Sequence, residues 1–289
     1  MASNLAAVGF AVTDVDHVKS LVSTAFDRAR EAGDEIEHAD GKTLRFLDPS
    51  GASVTIHVDR KDTFECFQPG FAGEARFRWR PQYVVPDADG CRFCDLVYAD
   101  FLGDDGSDDE YYPIALTVET IGETRTLMPF GETGEVAFAC LCHDGRVTAD
   151  EGAFEREQEA EWSEAEGSAL RFASKSLIPS GTFSFAEGGP LTSEIFANGI
   201  VESVEERHNE LGGGRFLYVR LDTLGGTFDT CVAPGTLERE ELLAPWAVVS
   251  ATFTIIGRPL TLRDVPGPVP TAEQDEPKKI RRLFGRRNR

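Results

Sequence analysis

"RFLYVRLDTLGGTFDTCVAP", residues 215–234, places two runs of aromatic, aliphatic and β-branched residues on either side of a Gly225–Gly226 turn. Such a pattern predicts a β-hairpin, because pleated strands favour these side chains and paired glycines accept the tight turn between them. Working outward, "EIFANGIVESVEE" (194–206) supplies a strand before it, and "LGGG" (211–214) reads as the turn that joins the two. Downstream, "LEREELL" (237–243) has the spacing of a short helix, and "WAVVSATFTIIGRPL" (246–260) is long and apolar enough for a final strand. The order is strand, strand, strand, short helix, strand.

The first 66 residues have a different rhythm. "LAAVGFAV" (5–12) reads as a buried strand, and Val18, Leu21, Val22, Ala25 and Ala29 recur at helical spacing between an Asp14 or Asp16 cap and Gly33. "KTLRFLD" (42–48) and "ASVTIHVD" (52–59) alternate as strands about a "PSG" turn. The expectation is a small β-α-β-β module over 1–66, with "CFQPGFAGEA" (66–75) as a break. Residues 74–177 form a β-rich middle region, opened by "ARFRWRPQYVV" with Phe77 and Trp79 on one face and Arg76, Arg78 and Arg80 on the other. It ends in an acidic helix whose thin apolar stripe is Phe154, Trp162, Ala165 and Ala169. A Pro-rich linker and a basic tail fill 265–289, and no internal sequence repeat of useful length is present. The class is α+β and β-rich.

Gly199, Gly225, Gly226 and the closing "ATFTIIGR" (251–258), in that strand order, give residues 194–263 a resemblance to an OB-fold barrel, which sets an OB-like domain at 178–264. The resemblance implies a site for single-stranded nucleic acid, with Phe216, Tyr218 and Phe228 as stacking platforms, although each ring also fits a core face. The first 60 residues, with "DPSG" before a strand, faintly resemble half of a vicinal-oxygen-chelate (glyoxalase-type) module. Its metal ligands do not carry over: Ala6, Ala7 and Thr55 stand at the expected positions, and His57 is a single histidine two residues beyond.

Charge separates the chain. The net charge is −21, yet seven of the last twelve residues are Lys or Arg, which leaves −28 on residues 1–277. An acidic body repels phosphate backbones, so nucleic acid is a partner for the tail alone. The tail is an electrostatic anchor: Lys278, Lys279, Arg281, Arg282, Arg286, Arg287 and Arg289 surround Ile280, Leu283 and Phe284, suiting an anionic membrane surface or an acidic partner. The start of the chain lacks the basic and apolar regions of a secretory signal, and no stretch is long enough to span a bilayer, so a cytoplasmic protein, peripheral at a membrane at most, is expected.

Six cysteines remain, at 66, 91, 94, 140, 142 and 231. "CRFC" places Cys91 and Cys94 at metal-ligand spacing, and "CLCH" adds Cys140, Cys142 and His143 as the other half of a zinc site. Alternation instead puts Cys140 and Cys142 on the strand face of Val136 and Phe138, which reads as core. "GDDGSDDE" (103–110) lacks the spacing of a calcium loop and reads as solvated. No nucleophile elbow or phosphate loop is present. The sequence favours a non-catalytic binding or scaffolding protein with a protein partner and no cofactor. A zinc metalloprotein and a nucleic-acid-associated OB-fold protein are the alternatives.

Overall fold

The computed structural model describes residues 3–86, 93–102, 111–164, 171–186 and 188–271. At the N-terminus, α1 (Asn4–Ala7) and α2 (Val15–Ala32) precede an antiparallel sheet of β1 (Glu35–His38), β2 (Gly41–Leu47), β3 (Ala52–Asp59) and β4 (Phe64–Phe71), in that order. Asp14 caps α2 by accepting the His17 amide at 2.8 Å, and Gly33 ends it in the left-handed region at φ 77°. Leu21, Val22, Ala25 and Ala29 are buried with Val54, Ile56 and Val58 of β3. β3 is covered on both faces, which leaves Ser53, Thr55 and His57 buried on the other side.

Two expectations for this module are corrected. "LAAVGFAV" is not a strand. Ser3 caps a single helical turn, and Gly9 at φ 78° turns the chain so that buried Phe10 bridges Gly213. The β-α-β-β order therefore does not form, and the glyoxalase-type likeness fails with it. "CFQPGF" is not a break but most of β4. It is the edge strand, where the missing amide hydrogen of Pro69 is tolerated.

The rest of the chain is one large mixed sheet. Its elements are β5 (Arg76–Val85), β6 (Leu96–Leu102), β7 (Tyr111–Val118), α3 (Ile121–Thr124), β8 (Gly134–Thr148), α4 (Glu151–Glu164), β9 (Ser176–Ile178) and α5 (Ser180–Ala186). There follow β10 (Glu194–His208), β11 (Arg215–Thr223), β12 (Gly226–Val232), β13 (Leu237–Glu238), a 3-10 turn at Glu240–Leu242, and β14 (Val248–Pro259). The turns "LGGG" and "LGG" join β10 to β11 and β11 to β12, as expected.

The pairings close on themselves twice. One circuit runs β5–β6–β7–β14–β8, the other β10–β11–β12–β8–β14, and both contain the long antiparallel pair β8–β14. Each has an antiparallel three-strand meander and one parallel contact, β7–β14 or β12–β8. The order meander, helical turn, long strand thus occurs twice in the chain, although no sequence repeat announces it. The strands of 194–263 do not close alone, since β8 comes from the middle region. Segments 74–177 and 178–264 are interleaved in one sheet.

Their shared interior is aromatic. Phe77 stacks on Phe138 at 4.1 Å between ring centroids, and Phe101 and Phe228 meet the same pair. Phe216 and Phe228 are buried, and Tyr218 donates its hydroxyl to Asp229 at 2.6 Å beneath the N-terminal module. These rings are core, not stacking platforms. The module is pinned by Asp48, whose Oδ2 accepts the amides of Glu210 and Leu211 while Oδ1 holds Ser50. At the same turn Gly212 is required, because a Cβ there would lie 2.5 Å from the Gly9 carbonyl oxygen.

Candidate binding cleft

Register builds a polar row across the outside of the sheet. Glu238 of β13 lies beside Arg146 of β8, Arg146 beside Ser250 of β14, Ser250 beside Asn198 of β10, and Asn198 beside Ser176 of β9. The next row brings Asp144, Thr252 and Phe196 together. Strand alternation forces this outcome, since the intervening residues Ala197, Val147, Val249 and Ala251 fill the aromatic interior.

Over the row sits α4, which Asp150 starts by accepting the Ala153 amide at 2.7 Å. Its two buried residues, Phe154 and Gln158, are spaced by four. Phe154 is 1% exposed, Gln158 is buried and Trp162 is 41% exposed, so only the first turn is held by apolar contact. Beyond it the link is polar. Arg146 donates to Glu161 at 2.5 Å, Arg239 donates to Glu157 at 2.6 Å, and Gln158 Oε1 accepts the Phe172 amide at 3.1 Å. The Arg146 bond holds the Glu161 carboxyl below its ordinary range.

Between helix and sheet is an open cleft of about 590 Å³, within the range of small-ligand sites. Asp144, Arg146, Glu161 and Glu238 supply charge, Asn198, Ser250 and Thr236 supply hydrogen bonds, and Phe172 with Phe196 supplies an aromatic wall. Those two rings lie 5.7 Å apart, tilted by 51°. Asn198 is 1% exposed; its Nδ2 donates to Ala173 O at 2.9 Å, while its Oδ1 has no partner. Burying an acceptor without a donor is costly, so this atom marks where a donor is missing.

The residues singled out from sequence lie elsewhere. Cys140 and Cys142 face the aromatic interior, and burial pushes the Cys142 thiol up to about 12 and the Cys140 thiol well above its ordinary value. His143 shares its Nε2 with Thr254 Oγ1 at 2.5 Å, and Cys94 is half-buried. Among the described residues no group of three or more His, Cys, Asp or Glu is placed to hold a metal. Cys91, the acidic loop 103–110, Ala165, Ala169 and the anchor residues 278–289 lie outside the described residues. Within them, no helix is long and apolar enough to cross a membrane.

A second polar cluster is enclosed between the N-terminal sheet and the end of β7. Glu119 is buried with its carboxyl pushed up by burial, and it accepts Ser53 Oγ at 3.3 Å. Glu123 is raised to about 7, again chiefly by burial. His57 stacks on Phe93 at 4.5 Å and meets Thr43 Oγ1 through Nδ1 at 3.1 Å; burial lowers it to about 3. The space beside Glu119, Arg45 and Arg258 is about 10 Å³, room for one water. That makes it an internal joint, whereas the α4 cleft is open.

Comparison with protein-family models, with curated proteins and with solved structures gives no match. The cleft therefore stands on its own geometry. Sequence reading missed Arg146, Glu161, Asn198, Glu238 and Ser250 because four strands and a helix contribute them. The available signal was a polar residue on alternate positions of otherwise apolar strands.

Proposed function

We propose that this is a non-catalytic binding protein whose paired circuits are two fused OB-like barrels, and that the α4 cleft is where it holds a segment of a protein partner. The cleft supports this reading: it is open, aromatic on one wall, polar on its floor, and carries an unpartnered buried acceptor in Asn198. A peptide supplies both apolar surface and an amide or side-chain donor for that atom. The acidity of the body disfavours nucleic acid here.

The test is a panel of fluorescently labelled peptides of different charge and length, read by anisotropy against the wild type and a Phe172→Ala/Phe196→Ala variant. At least one class should bind the wild type and lose about tenfold in the variant, the scale of a lost aromatic contact of 1–1.5 kcal/mol. No binding by any peptide, or equal binding by a folded variant, would overturn the reading.

A further inference from the structure

We infer that the cleft takes a guanidinium group, the side chain of an arginine carried on a peptide segment; the inference rests on the reading of the cleft as a binding site. Three observations converge on that chemistry. First, the lining is acidic: Asp144, Glu161 and Glu238 stand against Arg146 alone. An anion or phosphate would meet a repulsive wall, and a cation an attractive one.

Second, the floor holds a buried acceptor that no donor of the protein reaches. Asn198 donates one Nδ2 hydrogen to Ala173, and its backbone amide donates to Ser176 Oγ at 3.3 Å, while its buried Oδ1 accepts from no group. The carboxylates accept and do not donate. An occupant must bring several hydrogens in a small volume, and guanidinium brings five in a fixed planar fork.

Third, Phe172 and Phe196 present half-buried ring faces at the same mouth. A planar, weakly hydrated cation stacks on such faces, while an ammonium is held more tightly by water. The molecule already uses this arrangement elsewhere. Arg207 lies 4.0 Å over the Tyr218 ring while its Nη1 donates to the Ser50 carbonyl at 3.1 Å.

The same side chain has two possible sources, another protein or this chain's own end, which carries Arg281, Arg282, Arg286, Arg287 and Arg289. The probe is therefore the labelled peptide KKIRRLFGRRNR, residues 278–289, with a second version in which every Arg is Lys and a third in which every Arg is Gln. Each is titrated at physiological salt against the full chain, against Asp144→Asn/Glu238→Gln, against Phe172→Ala/Phe196→Ala, and against a full chain with the five tail arginines changed to Gln.

The Arg peptide should bind the wild type about tenfold tighter than the Lys peptide, and each cleft variant should lose about tenfold for the Arg peptide. Tighter binding by the tail-substituted chain would identify its own tail as the competing occupant. Unchanged binding would assign the arginine to another protein. Equal affinity for Arg and Lys peptides, with the cleft variants still weakened, overturns guanidinium recognition and leaves the binding cleft standing. Affinity indifferent to both cleft variants, with their thermal unfolding intact, overturns both readings.

Discussion

His57 shows what a single buried imidazole does to the response of the fold to acid. Its folded value is about 3 against 6.5 when exposed, because burial disfavours the charged ring. Below pH 6.5 the unfolded chain takes up a proton that the folded chain refuses, so this residue removes about 1.4 kcal/mol of stability per pH unit down to about 3. Glu123, raised to about 7 from 4.5, has the opposite sign: the folded form holds a proton that the unfolded form releases, which adds stability as pH falls from 7 to 4.5. Glu119, also raised, acts in the same sense as Glu123. Between pH 4.5 and 6.5 the slopes of His57 and Glu123 offset one another. Replacing His57 by Phe removes one of them. Urea unfolding should show the variant gaining about 2 kcal/mol relative to the wild type between pH 6.5 and pH 5. A difference that stays constant with pH would refute the assignment.

At the scale of elements, the joints decide more than the elements do. Asp48 serves four donors from two segments, Ser50 through its amide and hydroxyl and the amides of Glu210 and Leu211. Asp48→Ala leaves the Ser50, Glu210 and Leu211 amides without their charged acceptor and should cost about 2–3 kcal/mol. Hydrogen exchange should quicken at 48–51 and 209–214 and stay slow in β6; uniform quickening would mean that the joint is not local. What sequence discloses follows the same division. α2 was legible to its caps, because Asp14, the 3.6-residue period and Gly33 all lie within the element. β4 was not, since a proline reads as a break until its strand is known to lie at an edge. Cys140 and Cys142 were legible as core by alternation with Val136 and Phe138. The cleft was illegible, because Arg146, Asn198, Glu238 and Ser250 become neighbours only through the register of β8, β10, β13 and β14.

Across the whole molecule, the two circuits share an interior as well as a strand pair. Phe228 of the second circuit meets Phe77 of the first at 5.5 Å, edge to face. Phe228→Ala should cost about 3–5 kcal/mol, by lost burial and the void left behind. Trp79, fully buried in the first circuit, should report the loss as strongly as the total β signal does. Separate transitions for Trp79 fluorescence and circular dichroism would show that the circuits unfold independently. The shared pair has one more consequence, for the order in which the protein is made. β14 closes both circuits and is the last of their strands to leave the ribosome. Until then β7 has no parallel neighbour and one long edge of β8 stays bare, an invitation to pair with another chain. A nascent chain of this protein is therefore most exposed to aggregation just before β14 emerges, and any chaperone that guards it has its greatest effect at that moment.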